Sequence, residues 1–283
     1  MTGALYVVAT PLGNLGDLSP RAVDVLQSAA AIAAEDTRHS QILCQHWGIR
    51  TPLISLHDYN ERARLAPLIG RLLGGESLAI ISDAGTPLIS DPGYLLVRAA
   101  HQAGISVYAV AGPSAVTAAL SVAGIPCDRF VFEGFPPARS AARRAFFATL
   151  VGESRTLVFY ESPHRLVACL TDLAAAFGGD REATLIRELT KRFEEGILST
   201  LADLVERLGR GPVKGECVLV VRGAEPVPGV DDSERVLGVL LAAMPLSQAV
   251  DLTVAITGAP RKSLYARALA LKAADAIPSE APS

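Results

Sequence analysis

Aromatic side chains make up only 5% of the 283 residues, and there is a single Trp. A core so short of large rings must be filled by Ala, Val and Leu, which suits helices packed closely on sheets. Cysteine is equally sparse. Cys44, Cys127, Cys169 and Cys217 lie far apart with no CxxC spacing, so neither a disulfide framework nor a thiolate metal site is expected. Each falls in an apolar stretch and is read as a reduced, buried thiol. No apolar run approaches the roughly 20 residues that span a bilayer. Residues 1–9 are apolar but lack the basic leader of a signal peptide. Together these absences give a soluble, cytoplasmic protein. A charge excess is missing too: the net charge of −3 creates no global field for a polyanion, so any nucleic-acid site must be a local cluster of Arg and Lys.

Several chemical signatures are absent as well. The chain has neither GxxxxGK[ST] nor a GxGxxG after a strand, which excludes the usual nucleotide and dinucleotide cradles. It has no HExxH, no Cys/His ligand spacing and no GxSxG elbow, so no metal site and no serine-hydrolase site is expected.

What is present is a recurring pattern of apolar run, turn-rich loop and helix. Residues 5–9 (LYVVA) lead into TPLGNLG, after which Ser19 reads as an N-cap with Pro20 at the first helical position. Residues 77–81 (SLAII), 107–111 (VYAVA) and 156–160 (TLVFY) end in SDAGTP, GPS and ESPHR, the last with another cap-like Ser-Pro pair at Ser162. Residues 216–221 (ECVLVV) form a last strong strand. This pitch predicts an α/β protein with parallel strands and helices on both sheet faces. Strand candidates crowd closer together in the second half, so a mixed sheet is expected there. Half of the residues are apolar, and the length is comfortable for two domains. Boundaries are expected near Gly124 and after Arg222, giving domains at 1–124 and 125–223. The stretch 223–232 reads as a linker. Three helical patterns at 234–243, 247–257 and 261–273 then form an appendage over 233–275, with a frayed tail from Pro278.

In open α/β sheets, ligands bind beyond the carboxyl ends of the strands. The loop at 82–93 (SDAGTPLISDPG) holds two Gly, two Pro and two Asp in a dozen residues. Gly permits close approach of the backbone to a ligand, and Pro stiffens the loop. The alternative is that these Asp residues only cap local amides; several such loops on one sheet edge favour a pocket.

These segments resemble the tetrapyrrole methylase superfamily, and within it the ribosomal RNA small subunit methyltransferase I branch, whose members methylate a cytidine ribose. The matching blocks are LYVVATPLGNLGDLSPRA, AEDTRHS (34–40), SLHDYNE (55–61), ISDAGTPLISDPG, VAGPSA, FEGFPP (132–137), FYESPHR, RELTKRFEE and KGE, in one order from residue 5 to 221. The resemblance implies two α/β domains, S-adenosyl-L-methionine held in a cleft between them, and a homodimer. Carried over by position, it implies cofactor binding by Leu12 in the first loop, by Asp83, Gly85, Thr86 and Ile89 in the second, by Ser114 and Ala115 at a helix start, and by Tyr160. The tetrapyrrole-modifying relatives carry Gly-Asp-Pro where this chain reads Gly85-Thr86-Pro87, which weakens a porphyrinoid substrate. The competing readings are a precorrin-type C-methyltransferase and an inactive, cofactor-binding ribosome-assembly protein.

Methyl transfer to a ribose hydroxyl gains from alignment, worth about 7–11 kcal/mol in favourable cases, and from a positioned base, worth about 10²–10⁴-fold. The base candidates are Glu35, Asp36 and Glu161, with His164 as a further proton acceptor; Lys191 is a candidate to stabilise the alkoxide. Asp36, Glu161 and Lys191 are carried forward as catalytic. The alternative is that the carboxylates pair with Arg38 and Arg165 to hold loops. Small-subunit ribosomal RNA, free or in the assembled small ribosomal subunit, is the expected partner. Its phosphates are assigned to Arg38, Arg165, Arg187, Lys191 and Arg192. A second cluster, Arg139, Arg143 and Arg144 beside Phe146 and Phe147, suits backbone contact. The three C-terminal helices resemble the helix-turn-helix appendage of the same branch, with Arg261, Lys262 and Arg267 on the last helix, where a recognition helix would lie.

Overall fold

The computed structural model describes residues 2–225 and 232–275. Its first sheet comprises β1 (Ala4–Val8), β2 (Ala31–Ala34), β3 (Leu53–Ser55), β4 (Leu78–Ile81) and β5 (Ser106–Val110) in the order β3-β2-β4-β1-β5, with every pairing parallel. β2 and β4 are buried along their whole length, as parallel strands covered on both faces must be. Alternate residues part to opposite faces: Ile32, Ala34, Ala79 and Ile81 join one core, while Ala31, Ala33, Leu78 and Ile80 join the other. The connecting helices are α1 (Pro20–Ser28), α2 (Thr37–His46), α3 (Glu61–Leu73), α4 (Tyr94–Gln102) and α5 (Ala115–Val122). Ser19 caps α1 by accepting from the Ala22 amide, with Pro20 in the first turn as expected.

The second sheet is mixed. β6 (Phe130–Gly134) runs parallel to β7 (Thr156–Glu161). β10 (Cys217–Val221) is antiparallel to both β7 and β8 (Glu182–Arg187), and β8 is antiparallel to β9 (Glu195–Thr200). The order is β6-β7-β10-β8-β9. Helices α6 (Ser140–Leu150), α7 (Leu166–Phe177) and α8 (Leu201–Leu208) cover one face around Phe147, Phe159 and Leu219. The other face is covered by α5, whose Val116, Ala119 and Leu120 share a core with Val158, Val218 and Val220. Residues 1–224 form one compact unit.

Three expectations are corrected. Cys127 is exposed, because it sits in the surface connection to β6, whereas Cys44, Cys169 and Cys217 are buried. Ser162 does not cap α7: the chain makes a turn first and the helix begins at Leu166, while the Ser162 amide donates to Glu161. The strands β2 and β3 escaped the sequence reading, since AIAA is short and alanine-rich and LIS is only three residues long.

The C-terminal unit holds α9 (Asp232–Ala243), α10 (Leu246–Thr257) and α11 (Arg261–Asp275) around Leu237, Ala249, Val250, Leu264 and Ala268. Gly258 ends α10 at φ 71°, the left-handed stop that glycine favours. Arg261 pairs with Asp251 at 2.7 Å and Arg267 pairs with Glu234, so two of the three basic residues expected on α11 are engaged within the unit. Most of the expected linker and the whole tail from Pro278 lie outside the described residues.

Candidate active site

The loops that follow β1, β4 and β5 are tied to one another. Thr10 and Gly85 exchange both backbone hydrogen bonds, at 2.8 and 3.0 Å. The Thr10 hydroxyl donates to the Ser82 carbonyl at 3.1 Å, and the Thr86 hydroxyl donates to the Pro113 carbonyl at 3.0 Å. Gly85 has φ 80°, a conformation that calls for glycine, and a Cβ there would press on the Leu12 side chain at 3.2 Å. Among the described residues, the non-glycine residues with positive φ are Leu88 and Ser90 in the loop after β4, and Glu188 and Thr190 in the loop after β8. Backbone strain of this kind is of order 1–3 kcal/mol per residue and persists where the surroundings over-determine it.

These strained loops border a cavity of about 430 Å³. All eight residues expected at the cofactor line it: Leu12; Asp83, Gly85, Thr86 and Ile89; Ser114 and Ala115; and Tyr160. Sequence reading missed Ser90, Asp91, Phe135, Leu189 and Cys217, which also line it. Asp91 stood in the loop already singled out, and Phe135 in the FEGFPP block. Leu189 stood in the RELTKRFEE block, whereas Cys217 lies just outside the KGE block and carries no signal of its own. Tyr160 stacks edge-on against Phe132 and Phe135, at 4.8 and 5.5 Å between ring centres. Burial, then the nearby Asp91 charge, pushes its phenol up to about 12, so it stays protonated.

Five carboxylates line this cavity; Glu161 and Glu216 face cations, and the other three are Glu35, Asp83 and Asp91. No Lys or Arg among the described residues forms an ion pair with them. Asp83 accepts from the Asp36 amide at 3.1 Å. Burial first, and the Asp83 charge second, raises Glu35 above its ordinary value. Burial, then Glu35, raises Asp91 to about 6.

The other catalytic candidates are placed differently. Asp36 caps α2, accepting from the Arg38 amide at 2.8 Å and pairing with the Arg38 guanidinium; it lines neither this cavity nor its neighbour. Glu161 lines the cavity but is fixed by the Ser162 amide at 2.8 Å and by Arg165 at 3.2 Å. Lys191 lies between Glu188 at 3.0 Å and Glu216 at 2.9 Å. Partial burial pulls the pKa of its ammonium down, but the two carboxylates outweigh that and raise it. It lines a second cavity of about 420 Å³ that shares Leu12, Asp83, Ala84 and Glu216 with the first. His164 is exposed and lines neither.

The basic residues divide. Arg38 is open to solvent, its side chain 92% exposed. Arg165 also donates to the Pro136 carbonyl, and Arg187 pairs with Glu195 and donates to the Lys214 carbonyl at 3.1 Å, so both act as struts. Arg192 stacks on the exposed ring of Phe193 at 5.5 Å. The second cluster is corrected. Arg143 is buried and bound to Asp172 at 2.7 and 2.9 Å, and Phe147 is fully buried in the core of the second sheet. The helical period of α6 turns positions 143 and 147 inward together and leaves Arg139 and Arg144 exposed.

Residues 4–205 match the family model of Tetrapyrrole (Corrin/Porphyrin) Methylases, and residues 227–272 match that of the RsmI C-terminal HTH domain. Among curated proteins, the chain is similar to ribosomal RNA small subunit methyltransferase I of Xylella fastidiosa, with 52% identity over 93% of this chain and 98% of the relative. The protein of that name in Escherichia coli O157:H7 is 46% identical over 94% and 95%. Among solved structures, uroporphyrin-III-C-methyltransferase of Thermus thermophilus superposes with a TM-score of 0.56 at 23% identity, covering 78% of this chain and 94% of that one. The methyltransferase CobJ does so with 0.59 at 18%, covering 79% and 95%. These two share the fold; the sequence relatives share it over nearly their whole length. The chain therefore belongs to the tetrapyrrole methylase family, and within it to the ribosomal RNA small subunit methyltransferase I proteins.

Proposed function

We propose that the protein transfers a methyl group from S-adenosyl-L-methionine to the ribose 2′-hydroxyl of a cytidine in small-subunit ribosomal RNA, acting in the cytoplasm as a homodimer. The observation that carries the reading is the first cavity, where three carboxylates without a cationic partner meet apolar walls. Its residues fit such a donor. Leu12, Ile89, Leu189 and Val218 offer apolar surface to an adenosine, Gly85 leaves the backbone bare, and the carboxylates suit a ligand carrying ammonium and sulfonium charge. Leu12, Asp83, Gly85, Thr86, Ile89, Ser114, Ala115 and Tyr160 are assigned to hold it.

When bound, the donor supplies an electrophilic methyl group on a good, neutral leaving group. The chain supplies alignment and proton handling. Tied loops fix the reacting partners, which is where most of the advantage of an in-line displacement lies. Asp91, with a pKa of about 6, is matched to accept the hydroxyl proton near neutral pH, backed by Glu35 and Asp83. Lys191, next door, offsets negative charge on the attacking oxygen. Arg38, Arg144 and Arg192 are assigned to RNA phosphates, with Lys262 added from α11.

The test incubates the protein with labelled donor and unmethylated small ribosomal subunits, then digests the RNA to nucleosides. A single labelled 2′-O-methylcytidine is expected. Label on a base, or no label with intact subunits, rejects the reading.

A further inference from the structure

Helices α1, α2 and α8 are capped by their own N-cap side chains, Ser19, Asp36 and Thr200. Helix α4 cannot be, because its N-cap is Gly93. Its cap comes from another helix: Glu61, the first residue of α3, accepts from the Leu96 amide at 3.2 Å. Glu61 is only 5% exposed, and Leu96 is fully buried in one core with Leu68 and Leu72 of α3. An anion suits the start of a helix, where the amides have no partner within the helix itself. Glu61 is in turn held by the chain before it. Its amide donates to the His57 carbonyl at 2.9 Å. The Asn60 side chain locks the same turn, accepting from the His57 amide at 2.9 Å and donating to the Ser55 carbonyl at 3.3 Å.

Only Pro92 and Gly93 separate α4 from Asp91. The ring of Pro92 fixes its φ. Gly93 has φ 120°, and a Cβ there would come within 2.4 Å of Ile80, so the chain turns tightly against β4. Little slack is left between the capped helix and the Asp91 carboxylate. Resting on the assignment of Asp91 as the proton acceptor, we infer that Glu61 is a positioning residue for methyl transfer: by capping α4 from α3, it fixes the Asp91 carboxylate in the donor cavity. The groups that face Asp91 there are Glu35 after β2, Asp58 after β3, Ser82 and Asp83 after β4, and Tyr160 of β7, and none of these is a cation. Burial is the largest influence on its proton affinity. That affinity therefore reports how firmly the loop is held in place.

Three full-length variants test this: Glu61→Ala, Glu61→Asp and Glu61→Gln. The first removes the acceptor, the second keeps the charge but withdraws it by one methylene, and the third keeps an oxygen at the same reach. For each, kcat and KM on unmethylated small subunits are followed through the acid limb of the pH profile. Misplacement of a reacting group costs on the order of 10²-fold. We expect kcat to fall by at least about tenfold for Glu61→Ala and Glu61→Asp, with KM for the subunits within about twofold of the wild type. Glu61→Gln should keep kcat within about threefold. The acid limb, near pH 6 in the wild type, should move down in Glu61→Ala and Glu61→Asp, as Asp91 becomes better solvated, and stay in place in Glu61→Gln. Should Glu61→Ala fail to fold, the other two variants carry the test. The assignment is overturned if Glu61→Asp is as active as Glu61→Gln or more so, because reach is then not what matters. It is equally overturned if kcat falls while the acid limb stays, because Glu61 then only stabilises the fold. Unchanged kcat in Asp91→Asn would instead sink the parent reading.

Discussion

The carboxylates of the two sheets are treated in opposite ways. In the second half, acidic groups at the site and around it have cations: Glu161 has Arg165, Glu188 and Glu216 share Lys191, Glu195 has Arg187, and Asp172, away from the cavity, has Arg143. At the edge of the first sheet, Glu35, Asp83 and Asp91 crowd together with no ion pair among the described residues, and burial lifts Glu35 and Asp91 above their ordinary range. A paired carboxylate holds structure. An unpaired cluster in a cavity is costly to the fold and is therefore a candidate for binding or proton transfer. The comparison separates the two roles by environment, since the residue types are the same on both sides.

The largest expected effect comes from breaking a pair. Arg143→Ala leaves Asp172 buried and uncompensated, and the loss is about 3–5 kcal/mol of stability. Denaturant unfolding measures it, and replacing both partners with apolar residues should recover most of it. A loss below about 1 kcal/mol would put the paired side of the comparison in error.

Next comes Asp91→Asn, which should lower kcat by about 10²–10⁴-fold while leaving the fold intact. In the wild type, activity should decline as pH falls through about 6, as Asp91 takes up its proton. Stability runs the other way. A carboxyl whose folded pKa is raised favours the protonated fold, so the stability linked to Asp91 is complete below its ordinary value of 3.8 and is lost as pH rises through about 6. Asp91→Asn should therefore flatten the stability profile across that window. A sulfonium donor should also release protons on binding near pH 6, more than its demethylated product does, which lacks the sulfonium charge. Calorimetry in buffers of different ionisation enthalpy detects this, and equal release for the two ligands would detach the cluster from the sulfonium.

The smallest effect sharpens the contrast. Arg144→Glu, one residue from Arg143 but exposed, should change stability by no more than about 0.5 kcal/mol and should weaken only subunit binding. A destabilisation comparable to Arg143→Ala would show that burial does not separate these neighbours.

Much of the fold is legible in the chain. Continuous apolar runs such as 77–81 announce strands covered on both faces, and Ser19-Pro20 announces a helix start. The loop at 82–93 declares itself by its Gly, Pro and Asp content, and the resemblance in its blocks located eight residues that line one cavity. What escaped was whatever depends on the partner. AIAA is a strand only because β3 and β4 flank it. Arg143 looked like part of a phosphate cluster because charge is visible in sequence and the inward face of α6 is not.

The local code, with its periodicity, caps and turn chemistry, determined the α/β class, the appended helices and the family. Tertiary structure alone decided which charges are matched and which are left without a cation. The reason is that a carboxylate's pKa and an arginine's role depend on what lies within a few ångströms. For Asp91 and Arg143 the deciding neighbours, Glu35 and Asp172, come from segments distant in the chain.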